Sequence, residues 1–250
     1  GLQRVAAGGV FCVVWSSLFG VFQRIQGVEG NESYVDMTVN AGMPGLVESF
    51  FDNPNTFAGV LILLLPLVLA LILCSRHSIS RLVACGVFVV GVAALGMTYS
   101  RASWVGIACA MVVMVFLWKP KLIPVFAVLC VLCIPLLPTT IWNRILTIAN
   151  PADSSTSSRI PLYQAALEVI RTSPISGAGL GTAATQAYIR DLNLYHGEAP
   201  FVHAHNFYLE VWIEAGVLGI AGFVGSMLWN IKKGAHTVRH CPDSAARTIT

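Results

Sequence analysis

Two imidazoles and two carboxylates stand close together late in this chain. The run His203-Ala204-His205-Asn206 directly precedes an apolar stretch, Phe207 to Trp229, interrupted only by Glu210 and Glu214. An imidazole exchanges a proton near neutral pH, and ionisable groups beside a membrane-length segment are functional candidates by default. His205 adjoins Asn206 and the start of the apolar segment, so a helix start ties down its backbone; His203 lies two residues further into the loop. His205 is therefore the leading candidate for proton transfer, with His203 and Asn206 in support. Glu210 and Glu214, at i and i+4, fall on one helix face. They either orient His205, pair with an arginine, or hold helices together.

Two arginines bear on the same chemistry. Arg101 separates the apolar stretches Leu82 to Ser100 and Ala102 to Trp118. An arginine at the centre of a membrane helix costs about 2.5–3.5 kcal/mol, and less at an interface. Arg101 either snorkels at the mouth of a helical hairpin or serves as an anion site, since a guanidinium presents a bidentate fork to phosphate and stays charged at physiological pH. Arg159, just ahead of Pro161, admits the same two readings.

These side chains need a scaffold, and composition identifies its kind. Hydrophobic residues make up 56% of the 250 and charged residues 11%, against about 25% charged in an ordinary soluble domain. The mean hydropathy is +0.72. The expected fold is all-α, a polytopic transmembrane helix bundle with a large extracytoplasmic loop carrying amphipathic helices. Six stretches approach the roughly 20 residues that a bilayer core requires: 5–22, 57–74, 82–100, 102–118, 122–142 and 207–229. Residues 1–250 are read as a single membrane domain. The chain opens at Gly1 with four residues before the first span, and is read as an N-terminally truncated fragment. No cleavage site follows 5–22, so that segment is read as a true span.

Lysine and arginine set the orientation. With Gly1 in the cytoplasm, the inner segments carry Arg4, Arg76, Arg81, Lys119, Lys121, Lys232, Lys233, Arg239 and Arg247, and only Asp243 among the acidic residues. That satisfies the positive-inside rule at every crossing. Both termini are then cytoplasmic; residues 23–56, the turn at Ser100 and Arg101, and the loop 143–206 lie outside. The net charge of +3 is a topology signal, and nothing in its distribution points to nucleic acid.

Several local patterns have structural readings. Cys130 and Cys133 make a C-x-x-C spacing on an apolar helix without histidine or carboxylate nearby, which reads as packing. Gly177, Gly179 and Gly181 form a glycine-rich turn that follows a helix and Pro174 instead of a strand, so it is no dinucleotide site. Gly216, Gly219, Gly222 and Gly225 recur at three-residue intervals and read as a packing face for a neighbouring helix. Asn53 ahead of Pro54-Asn55-Thr56 reads as a helix cap. After the serine-rich stretch 153–158, Pro161 suits a first helical turn, and Leu162, Ala166, Val169 and Ile170 follow at helical spacing. An amphipathic helix lying on the outer leaflet is the expectation.

In order along the chain, Thr98-Tyr99-Ser100-Arg101-Ala102-Ser103-Trp104, Ser158-Arg159, PISGAGLGT at 174–182 and HAHNFYLEVWIEAG at 203–216 resemble the O-antigen ligase and Wzy-type polymerase superfamily. The resemblance covers roughly 53–229. It implies a GT-C-like, metal-independent, inverting glycosyltransferase without a cofactor. The implied donor is a glycan linked to undecaprenyl diphosphate at the outer face of a bacterial cytoplasmic membrane; the implied acceptor hydroxyl belongs to a glycan, a lipid or a protein. By motif position, Arg101 and Arg159 match diphosphate-binding arginines and His205 the catalytic histidine.

The residues make chemical sense in those roles. Fixed cations at a leaving diphosphate stabilise the transition state more than the ground state, and the sequence has no Asp-x-Asp pair of the kind that binds a divalent metal. A small-anion membrane transporter is the alternative, because intramembrane Arg, His and Glu also mark ion pathways. The clustering of these charges at one membrane face argues against it. A structural membrane subunit would show no dependence on Arg101 or His205.

Overall fold

The computed structural model describes residues 2–27, 44–75, 77–118, 120–133, 135, 139–146, 159–197 and 200–240. The chain divides into two compact units, Gly1–Ala149 with Thr237–Thr250, and Asn150–His236.

The first unit contains α1 (Leu2–Gln26), α2 (Pro54–Cys74), α3 (Ser78–Met97), α4 (Arg101–Trp118), a short 3₁₀ turn (Pro120–Leu122), α5 (Ile123–Cys133) and α6 (Thr139–Leu146). The second contains α7 (Arg159–Thr172), α8 (Thr182–Asp191) and most of α9 (Phe207–His240). Among the described residues there is no strand. Among the described residues, four helices are long and apolar enough to cross a bilayer: Arg4–Gln26, Pro54–Leu73, Ser78–Met97 and Phe207–Thr237. Arg101–Phe116 is apolar but shorter. The chain is an all-α, multi-pass membrane protein.

In the first unit α2 starts where polar chemistry allows it. Asn53 Oδ1 accepts from the amides of Asn55 (2.8 Å) and Thr56 (3.2 Å), and Pro54 occupies the first turn, where a missing N–H costs nothing. The core joins Val13 of α1, Val47, then Phe57, Leu61, Leu65 and Val68 of α2, and Ala94 and Leu95 of α3. Lipid tails are as apolar as leucine, so this bundle is held by close packing more than by expulsion of water. Gly91 shows how close: a Cβ there would lie 2.7 Å from Leu65 Cδ2.

The stretch 122–142 is not one helix. Its described part consists of α5, ending at Cys133, and the strongly amphipathic α6, starting at Thr139. Pro135, two residues beyond Cys133, donates no backbone hydrogen bond, which explains why α5 stops there. The side chains of Cys130 and Cys133, and the serine-rich stretch 153–158, lie outside the described residues.

The second unit is built on a core of Leu162, Ala165, Ala166, Val169, Ile189, Phe201, Ala204 and Ile213. The helical spacing read in α7 is real, but its apolar stripe is buried against protein and not spread on a leaflet. Ile170 packs at the edge of the same core.

A break within α9 locks this unit together. Gly216 has φ 63° and ψ −165°, which interrupts the helix. The amide of Val217, freed from its own helix, donates to Pro174 O (2.9 Å), and Ala178 N donates to Ile213 O (2.6 Å). The 174–178 turn thus replaces one rung of the helix. Gly177 (φ 71°) makes room from the other side, since a Cβ there would stand 2.6 Å from Ile213 O. The glycines of α9 therefore do different jobs. Gly216 admits a turn through its positive φ, whereas a Cβ at Gly222 or Gly225 would meet nothing within 4 Å.

Candidate active site

The loop bearing the two histidines is pinned at both ends. Upstream, Gln186 Nε2 donates to Phe201 O (2.8 Å), with Phe201 and Ala204 buried in the core. Ala204 N donates to Glu210 Oε2 (2.6 Å). Downstream, Asn206 Oδ1 accepts from the amides of Tyr208 (3.0 Å) and Leu209 (3.3 Å), capping α9. His205 is the residue between these anchors.

Its backbone is unusual. His205 has φ 49°, in the left-handed region that a residue with a Cβ enters at a cost. Such strain persists only where surrounding contacts over-determine it, and it clusters at functional positions. The Ala204–Glu210 bond and the Asn206 cap supply that determination. The result turns the His205 ring onto that of His203, with centroids 4.1 Å apart and planes tilted by 44°.

The electrostatics follow. The pKa of His205 lies below the ordinary 6.5. The first cause is lost water: the residue is exposed overall, yet partial burial of the ring leaves its charged form less well solvated than in free solution. His203 and the Arg159 guanidinium add like-charge repulsion. All three influences favour the neutral imidazole, which is the form that accepts a proton.

Arg159 is the first residue of α7, solvent-exposed, and its charge is felt at His205. The structure therefore brings together Arg159, His203 and His205, which lie 44 and 46 positions apart in sequence (203 − 159 and 205 − 159).

Both glutamates have acquired structural partners. Glu210 holds the histidine loop through Ala204 N, and Glu214 Oε1 accepts from Gly181 N (3.1 Å) at the start of α8. Of the roles open from sequence, the observed geometry is that of positioning groups.

Arg101 belongs to the first unit, where it opens α4 half-buried. Its approach is fixed by the preceding turn. Tyr99 is buried with φ 51°, a costly conformation for a bulky residue. Its hydroxyl accepts from Arg24 Nη2 (3.0 Å) and bonds Thr140 Oγ1 (3.2 Å), while Ser100 Oγ donates to Asn55 Oδ1 (2.8 Å). Arg24 also donates to Gly45 O (2.9 Å) and lies over the Tyr99 ring. Sequence reasoning passed over Arg24, placing it in an outer segment; α1 runs on to Gln26, so Arg24 sits in its last turn. Its position at a helix C-terminus was the available signal.

Among the described residues, no three His, Cys, Asp or Glu side chains converge as metal ligands would.

Comparison with known proteins adds one finding. No curated protein and no solved structure matches the chain. A family model described as O-antigen ligase matches residues 86–224, which is 139 of 250 positions (224 − 86 + 1) and includes Arg101, Arg159, both histidines and both glutamates. By that match the chain belongs to the O-antigen ligase family.

Proposed function

We propose that this protein transfers a glycan from undecaprenyl diphosphate to an acceptor hydroxyl at the outer face of the cytoplasmic membrane, by a metal-independent, inverting displacement. The observation that carries the reading is the grouping of His205 with His203 and the Arg159 charge: adjoining imidazoles with centroids 4.1 Å apart, one with its pKa lowered by burial, by its neighbour and by a guanidinium. In the transfer, the acceptor oxygen forms a bond to the anomeric carbon as the bond from that carbon to the diphosphate oxygen breaks. The hydroxyl proton passes to an imidazole nitrogen of His205, and the diphosphate leaves with the electron pair. Arg159 stabilises the charge that gathers on it, and Arg101 remains a candidate for the diphosphate by its place in the family motif alone. The acceptor is a glycan, a lipid or a protein, and membrane lipid surrounds the donor's tail.

The direct test supplies purified protein in detergent with a lipid-linked glycan and follows release of undecaprenyl diphosphate. Release that requires an acceptor supports transfer. No release with any acceptor, in protein that retains its fold, sinks it.

Arg101→Ala and Arg159→Ala are each expected to lower turnover about ten- to a hundredfold, the weight of a charge-assisted hydrogen bond. Lysine at either position keeps the charge and loses the fork, so partial activity is expected. Donor binding and turnover unchanged in both alanine variants would place the diphosphate elsewhere.

The topology is tested separately. Ala183 is exposed in the first turn of α8, and the orientation set by lysine and arginine puts it outside. A cysteine introduced by Ala183→Cys should react with a membrane-impermeant maleimide in intact cells. Labelling only after lysis would reverse the orientation.

A further inference from the structure

A cavity lies in the same unit as the histidines and is not part of their cluster. It encloses about 350 Å³ and is lined by Gln186, Ile189, Arg190, Asn193, Tyr195, Pro200 and Phe201. That volume stands at the small end of the roughly 300–1,000 Å³ typical of ligand pockets, which suits a ligand of sugar size.

Its frame is rigid for a local reason. Helix α8 ends in a Schellman motif: Leu194 N donates to Ile189 O (2.9 Å) and Asn193 N to Arg190 O (3.1 Å), with Asn193 at φ 51°. Asparagine is among the few residues that enter the left-handed region readily. The reversal returns the chain so that Tyr195 packs edge-on against Phe201, centroids 5.7 Å apart at 73°. Phe201, in turn, is held by Gln186.

The lining specifies chemistry. Tyr195 offers an aromatic ring whose negative face attracts weakly positive C–H groups. Around it, Arg190 supplies N–H donors, Asn193 both a donor and an acceptor, and Gln186 a carbonyl oxygen whose amide is oriented by its bond to Phe201 O. A phosphate would call on donors alone. A polyol, whose every hydroxyl both donates and accepts and whose ring presents C–H groups, uses the whole set.

We propose that this cavity binds one pyranose unit of the glycan, next to the reacting centre but outside it. The proposal rests on the glycosyl-transfer reading above. Phe201 and His205 are so close along the chain that their Cα atoms are at most about 14 Å apart. A sugar seated here belongs to the same glycan as the reacting end and fixes its register, which makes Arg190 and Asn193 specificity-determining residues.

The test uses the full chain in lipid nanodiscs and saturation-transfer NMR with methyl glycosides of glucose, galactose, N-acetylglucosamine, rhamnose and glucuronic acid. At least one probe should bind wild type. The double variant Arg190→Gln, Asn193→Gly should bind it about thirtyfold more weakly, the lower end of the loss expected for one charged and one neutral hydrogen-bond partner. Glycine keeps the left-handed cap, so unfolding should be unchanged; Arg190→Gln alone gives the same readout on a surface position if the double variant is destabilised. Failure of every probe to bind wild type, or equal binding to the variants, overturns the subsite. His205→Ala separates the two ideas, since it should leave probe binding intact while slowing release of the lipid diphosphate by about two to four orders of magnitude. Lost release without probe binding removes only the subsite. Probe binding that follows the variants, with release intact in His205→Ala, supports the subsite and removes His205 from the chemistry.

Discussion

Replacing His205 by alanine is expected to lower turnover by about two to four orders of magnitude, the usual worth of a positioned general base, while the lipid-linked donor still binds. Donor binding survives because the arginines remain. His203→Ala should cost much less, since His203 acts on the neighbouring ring and not on the acceptor hydroxyl. The pH profile carries an independent sign. Burial, His203 and Arg159 all lower the His205 pKa from 6.5, so the basic form persists to lower pH and the acidic limb of activity should fall below 6.5. Removing the His203 charge relaxes one of those influences, and His203→Ala should move that limb upward, toward the ordinary value. His205→Asn is the sharper control for structure, because asparagine tolerates the φ of 49°. It should keep the loop and lose the reaction. Near-normal turnover in His205→Ala with an unchanged acidic limb would leave Glu210 or Glu214 as the base.

The second large effect concerns a residue with no chemistry. Gly216→Ala is expected to destabilise the unit bearing the histidines by about 3 kcal/mol or more, within the range reserved for backbone strain and overpacking. A Cβ on Gly216 would overlap the carbonyl of Ile175, and the left-handed backbone there costs alanine a further 1–2 kcal/mol or so. The Val217–Pro174 and Ala178–Ile213 bonds would open together, because each exists only while the other side of the interlock is seated. Gly177→Ala should behave alike, its Cβ standing 2.6 Å from Ile213 O. The control is Gly222→Ala. That position is helical with nothing within 4 Å of a Cβ, and alanine there should hold stability or add about 0.5–1 kcal/mol. Thermal unfolding in detergent reads the contrast directly. Should Gly216→Ala and Gly222→Ala unfold together, the interlock is not what holds this unit.

The contrast between those glycines marks how far the sequence could be read. Its legible features are local in their physics. The apolar runs of α1, α2, α3 and α9 follow from the length of a bilayer, the α7 stripe from helical periodicity, and the Asn53 cap from the unsatisfied amides of any helix start. Each of these needs only a few consecutive residues to be recognised. Prolines are legible as well, but Pro66 lies inside the unbroken α2 whereas α5 stops two residues before Pro135; whether a helix in lipid continues or stops at proline depends on what re-satisfies its backbone, which the local sequence does not state.

Tertiary structure decided the rest, since the groups concerned find partners far along the chain. Three-residue glycine spacing looks the same whether a helix, a turn or nothing approaches it; only the 174–178 turn made Gly216 a break. Glu210 and Glu214 share a helix face, and their separate bonds to Ala204 and Gly181 arise from where two loops return. The histidines were evident as a pair, yet their ring contact comes with a positive φ, and the lowered His205 pKa depends on burial first, then on His203 and on a guanidinium 46 positions away (205 − 159). Sequence alone determined which residues were able to exchange a proton or hold an anion, because that capacity resides in the side chain. What lowers the pKa of His205, and what stands beside it, was decided by folding, because proximity and desolvation are properties of the packed chain.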